Sequence, residues 1–263
     1  MKLGLRKLLT EVRVIGELAT FAGDTLLNRY IETPAAPKPA LLIPGLMASD
    51  ATLYPLAVRL RMAGHQVFFA SIWCNADCPT RTMKRLETVL QKASQKTGER
   101  VAVIGHSLGG IYARELARRL PDLVERAILL GAPLKHAMQS SNLPIRTLTR
   151  MMKFTHQECL TALGSLCSTC GVHLPATPPE VPETIIYTKS DGVVNWRSCL
   201  EHGANVEAVE VHSSHCGLGV SVEAWNVIAD RLAGDATRNP TPCRRGGSDG
   251  RHLRLVKRSA SAA

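Results

Sequence analysis

Aromatic side chains are scarce in this 263-residue chain, with four Phe, four Tyr and three Trp. So few flat rings leave little with which to stack unpaired bases, and no known reader motif accompanies them. A nucleic-acid partner is therefore not expected, although the formal net charge is +10. No unbroken apolar run approaches the roughly 18 residues that a membrane-spanning helix requires. No internal repeat is visible. Cysteine is not scarce, with eight in the chain, but the spacing of a small disulfide scaffold is missing, and a reducing, cytoplasmic setting with free thiols is the default. A second CxxC is missing too. Cys167–Ser168–Thr169–Cys170 stands alone. His156, Cys159 and His173 lie near it in sequence and would make a zinc clamp conceivable, but without a second pair the expectation is no metal and no cofactor.

The positive charge is uneven. Between Gly234 and Ala263 seven basic residues face Asp235 and Asp249, a balance of +5. That stretch is rich in Gly, Pro, Ser and Arg, lacks an apolar period, and reads as a disordered basic tail over 234–263. At the other end, Met1–Lys2–Leu3–Gly4–Leu5–Arg6–Lys7 opens like a signal peptide, but Glu11, Arg13 and Glu17 interrupt the apolar stretch and no small-residue cleavage site follows. Leu5, Leu8, Val12, Ile15, Ala19 and Ala22 recur at helical spacing, so residues 1–39 read as an amphipathic helix, from about Lys2 to Asn28, and a linker. Packing of that helix against the domain is the simpler expectation. Peripheral contact with an anionic membrane surface, aided by Lys2, Arg6, Lys7 and Arg13, is the sharper one.

Between these ends, short apolar runs alternate with helical patterns. Strands are predicted at Ala40–Ile43, Gln66–Ser71, Arg100–Ile104, Arg126–Leu130, Glu183–Lys189 and Glu207–Val211. Helices are predicted over Ala51–Met62, Thr80–Lys96, Leu108–Leu120 and Gly217–Leu232. Such alternation implies one α/β domain over 40–233, with a parallel sheet covered on both faces. The connection from Gly131 to Pro182 is far longer than the others and carries Leu143, Ile145, Leu148, Met151, Met152, Phe154 and Leu160. Connections of this length are usually functional, and a helical cap inserted at about 134–182 with an adaptable apolar face is the expectation. Ordinary packing onto the sheet end is the competing one.

The most informative stretch is Arg100 to Gly110, RVAVIGHSLGG. A buried strand runs into Gly105–His106–Ser107–Leu108–Gly109, and a helix opens directly afterwards. Gly-x-Ser-x-Gly between strand and helix is the context of a nucleophile elbow, a turn so tight that the serine projects from the sheet end. Here the chain resembles the α/β-hydrolase superfamily, in particular its small bacterial lipases and esterases. The resemblance implies an α/β-hydrolase fold, in this chain a reduced, mainly parallel sheet of six strands. It also implies a Ser–acid–His triad in that chain order and an oxyanion hole of two backbone N–H groups.

Carried onto this sequence, the nucleophile is Ser107. The acid is Asp191, at the carboxyl end of the strand before Ser190–Asp191–Gly192, with Asp122 and Glu201 as weaker candidates. The base is His215, in the loop Ser213–Ser214–His215–Cys216–Gly217, with His212 as competitor. The oxyanion donors are the N–H of Leu108 and, after the first strand and Pro44–Gly45, that of Leu46, with Met47 left open. Where lipases commonly carry His-Gly, this chain has Pro44–Gly45. The expected activity is hydrolysis of small-molecule or lipid carboxylic esters. Thioesterase, amidase or acyltransferase chemistry on the same triad is an alternative, and so is an idle hydrolase fold serving as a binding module. The segments around Cys199 and Cys216 are similar to those of a bacterial branch of the superfamily. If the acid and base loops converge, these two thiols either bridge or simply pack.

Overall fold

A computed structural model describes residues 10–27, 34, 36–135 and 177–234. Within them six strands form one sheet: β1 (Ala40–Ile43), β2 (Val67–Phe69), β3 (Val101–His106), β4 (Val124–Leu130), β5 (Glu183–Tyr187) and β6 (Val206–Glu210). Their order across the sheet is β2-β1-β3-β4-β5-β6, and each neighbouring pair is parallel. A sheet expected to be mainly parallel is wholly so among the described residues.

Alternation along the strands makes two cores. Leu41, Ile43, Val101 and Val103 point to one face, where α3 (Pro79–Thr97) and α4 (Leu108–Arg119) cover them. Ala40, Leu42, Ala102 and Ile104 point to the other, under α1 (Val14–Leu26), α2 (Tyr54–Met62) and α5 (Val222–Leu232). In α3 the buried Met83, Leu86, Leu90 and Ala93 recur at steps of three and four, so its other side is free to be charged. Strands buried on both faces must be apolar at every position, which is why β1 and β3 read as continuous apolar runs.

From β1 the chain winds outward to β2, then returns past β1 to β3 and winds the other way. The strand order therefore reverses between β1 and β3, and the carboxyl ends there form the crevice in which open α/β sheets hold ligands. The Pro44–Gly45 loop follows one of these strands and Ser107 the other.

A buried ion pair fastens the elbow helix to β5. Arg114, on the buried face of α4, donates through Nε to Glu183 Oε2 at 2.9 Å and through a second nitrogen to Oε1. Burial raises the Glu183 pKa against the opposing pull of Arg114.

Two expectations need correction, and one open alternative is decided. The N-terminal helix packs on the domain, but not through its expected stripe, of which Val12, Ile15, Ala19 and Ala22 are exposed. Phe21, outside that stripe, is the buried residue of α1. The helix predicted from Gly217 is divided: a 3-10 turn spans Cys216–Val220, and Ser221 then caps α5 by accepting the Ala224 N–H on its side chain. Of the two alternatives left open for Cys199 and Cys216, the bridge is not formed: both are free thiols. Cys199 is buried in the core under α3 and α4, whereas Cys216 opens the turn whose Leu218 and Val220 enter the core on the opposite face of the sheet.

Residues 136–176 of the expected cap, with the proposed zinc ligands His156, Cys159, Cys167, Cys170 and His173, lie outside the described residues, as does the basic tail from 235 onward. Among the described residues no cluster of three metal-binding side chains occurs, and no helix is long and apolar enough to cross a membrane.

Candidate active site

The elbow is built by backbone. At Ser107 the chain leaves β3 with φ 52° and ψ −117° and enters α4 at Leu108. A serine in that region carries strain of roughly 1–3 kcal/mol, and it persists only where its surroundings hold it. Here the Ser107 N–H donates to the Leu130 carbonyl at 2.8 Å, and the Ser107 carbonyl accepts the Gly110 N–H at 3.0 Å. The flanking glycines admit no side chain. A Cβ on Gly105 would lie 2.1 Å from the Gly109 carbonyl oxygen, and one on Gly109 would lie 2.2 Å from that of Ile43 in β1.

Two further loops converge on the same sheet edge. Beyond β5, Asp191 is buried with a side-chain exposure of 1%, and beyond β6, His215 has 4%. The His215 Nδ1–H donates to Asp191 Oδ2 at 2.6 Å. The other carboxylate oxygen, Oδ1, accepts the N–H groups of Val193 at 2.8 Å and Val194 at 2.6 Å. Three donors aimed at one carboxylate suit its ionised form and leave it one orientation. The imidazole is thereby held with its proton on Nδ1 and the lone pair on Nε2. The loops are also laced directly, since the Thr188 hydroxyl donates to the Ser213 carbonyl at 2.8 Å.

The competing side chains are engaged elsewhere. His212 is exposed and pairs with Glu223 at 3.3 Å. Glu201 lies beside Arg114 at 3.7 Å and Lys135 at 3.4 Å. Asp122 is exposed after the end of α4.

Of the expected oxyanion donors, the Leu108 N–H lies in the first turn of α4, where no preceding helical carbonyl can accept it. The expected second donor is Leu46, with Met47 as the alternative. The Met47 N–H already donates to the Asn75 carbonyl at 3.0 Å, whereas the Leu46 N–H has no hydrogen-bond acceptor among the described residues. Asn75 also donates its side-chain amide to the Pro44 carbonyl at 2.7 Å, so it braces the loop that would present Leu46. Nothing in the local sequence marks Asn75 for this task.

His106 is a second residue whose part the motif does not disclose. It occupies the variable position before the serine, and its Nε2–H donates to the His215 carbonyl at 2.9 Å. The two rings lie 5.0 Å apart. Burial, followed by the neighbouring His215, lowers the His106 pKa from 6.5 to about 4. A neutral His106 therefore ties the elbow to the His215 loop. The linkage has a definite sign: between pH 6.5 and about 4 the unfolded chain takes up a proton that the folded chain refuses, so stability is lost as pH falls through that window. His106→Gln, which keeps a donor but cannot titrate there, is expected to flatten this part of the stability profile. Urea denaturation at a series of pH values measures it, and an unchanged slope would contradict the assignment.

No family model matches the chain. Solved structures similar to it include a monoacylglycerol lipase of Paleococcus ferrophilus, at 15% identity and a TM-score of 0.52 over 76% of this chain and 96% of that one. A lipase of Bacillus licheniformis matches at 16% and 0.51, covering 77% of this chain and 95% of its own. A pyrethroid hydrolase from Sphingobium faniae matches at 18% and 0.52, over 77% and 99%. With its parallel sheet, its elbow after β3 and these structural neighbours, the chain has the α/β-hydrolase fold.

Proposed function

We propose that the protein is a serine hydrolase of carboxylic esters that works through Ser107, Asp191 and His215. The observation that carries this reading is the buried Asp191–His215 pair, formed by loops that leave the same sheet edge as the strained Ser107 elbow. The lipase names of two structural neighbours agree with it.

In the reaction His215 Nε2 takes the Ser107 hydroxyl proton as Oγ attacks the ester carbonyl carbon. The carbonyl oxygen becomes an oxyanion, held by the N–H groups of Leu108 and Leu46. The tetrahedral intermediate collapses, and the alcohol leaves with the proton from His215. Water then gives a proton to His215 and attacks the acyl-enzyme, and Ser107 is released with its proton restored. Asp191 keeps its charge throughout and stabilises the imidazolium. The chemistry calls for no metal and no cofactor.

The test is twofold. A fluorophosphonate probe should label Ser107, and p-nitrophenyl esters of increasing acyl length should be hydrolysed faster than a matched thioester or anilide. A chain that is folded yet unlabelled would be an idle hydrolase fold, and preference for the thioester or anilide would move the assignment to that substrate class.

A further inference from the structure

We propose that Glu11 and Glu17, at the N-terminal side of the molecule, are positioning residues that clamp the acid and base loops together so that Asp191 meets His215. The proposal rests on the functional reading of that pair given above. Glu11 lies in the 3-10 turn Thr10–Arg13, which leads into α1. Its Oε1 accepts the N–H of Gly192, next to Asp191, at 2.8 Å and that of His215 itself at 3.1 Å. Its Oε2 accepts the Cys216 N–H at 2.9 Å. One carboxylate thus spans both loops. Glu17 secures the same loop one residue earlier, accepting the Ser214 N–H at 2.9 Å and the Ser214 hydroxyl at 2.6 Å. Ser214 Oγ in turn accepts the Gly217 N–H at 3.0 Å.

The fit is close and polar. A Cβ on Gly217 would lie 1.7 Å from Glu17 Oε2, so the carboxylate occupies a place that a side chain at that position would take. Two of the donating N–H groups, those of His215 and Cys216, lie at the start of the 3-10 turn Cys216–Val220, where no preceding turn offers an acceptor. Apolar burial accounts for only part of the docking, through Phe21 and the half-buried Val14. Along α1 only Phe21 is buried, four residues after Glu17 on the same side, with the Arg59 guanidinium 4.5 Å from its ring centre. Ile15, on the outward side, is 70% exposed. A helix held for its hydrophobic face would show the reverse. Phe21 anchors α1, and the two glutamates transmit that anchorage to the loops of the pair.

The experiment uses the full chain with Glu11→Gln, Glu17→Gln and the double variant, and Ile15→Ala as a control on the outward side. Because loss of positioning misplaces the base without removing it, the double variant should lose kcat by up to about a hundredfold with KM little changed. The downfield proton resonance of the His215–Asp191 hydrogen bond should weaken or vanish, while Ile15→Ala keeps full activity and the resonance. If the double variant does not fold, Glu11→Asp, which keeps the charge but falls short of both loops, is read in its place with the same expectation. A folded Gln or Asp variant that retains both kcat and the resonance overturns the clamp. The resonance separates this failure from that of the functional reading: wild-type protein that hydrolyses nothing but shows a resonance abolished by the Gln substitutions would retain the clamp and refute the esterase.

Discussion

Ser107→Ala is expected to lower ester turnover by about 10⁶-fold while leaving the fold intact. The substitution removes one oxygen and no backbone contact. The Ser107 N–H still reaches Leu130 and its carbonyl still receives Gly110, so the turn that holds φ at 52° is preserved. What remains is substrate binding and the N–H groups of Leu108 and Leu46, which can stabilise attack by water only weakly without a nucleophile in place. Steady-state turnover and a thermal melt on the same preparation check both halves. An alanine variant that turns over ester at a rate near wild type would remove Ser107 from the mechanism.

Asp191→Asn should cost about 10⁴ in kcat, for a reason that the surrounding hydrogen bonds make specific. The N–H groups of Val193 and Val194 both require an acceptor at Oδ1. The amide oxygen must therefore occupy that place, and the NH2 must turn toward His215. Facing a donor, Nδ1 can only accept, so the imidazole proton moves to Nε2 and the lone pair needed for catalysis is gone. Size, packing and burial barely change. A kcat above roughly a tenth of wild type would mean that the acid lies elsewhere.

How far the chain could be read in advance depended on how local each signal was. The elbow was legible because strand, glycines, serine and helix follow one another within about a dozen residues, and each has a steric reason to be there. Asp191 and His215 were legible through their placement after apolar runs and the order of the superfamily it resembles. The choice between Leu46 and Met47 was not, because it turns on Asn75, a residue brought to that loop only by folding. Ser221 divides a helical pattern that apolar spacing alone makes continuous. Glu11 and Glu17 were least legible. In sequence they are interruptions of an apolar stretch, and the stripe they interrupt is largely exposed, because the polar side of α1 is the one that docks. A hydrophobic period locates a helix, but it cannot say that a carboxylate is the face that matters.

The bonds from Glu11 and Glu17 to the loops join residues 181 to 205 positions apart. As the chain is synthesised, the elbow at Ser107 and the strand that leads to it are made long before the residues that would arm it. The clamp itself is made earlier still and cannot span both loops until Cys216 has left the ribosome. Contacts of such separation are late and slow to close. The nascent chain therefore carries Ser107 through translation without Asp191, His215 or the contacts that align them.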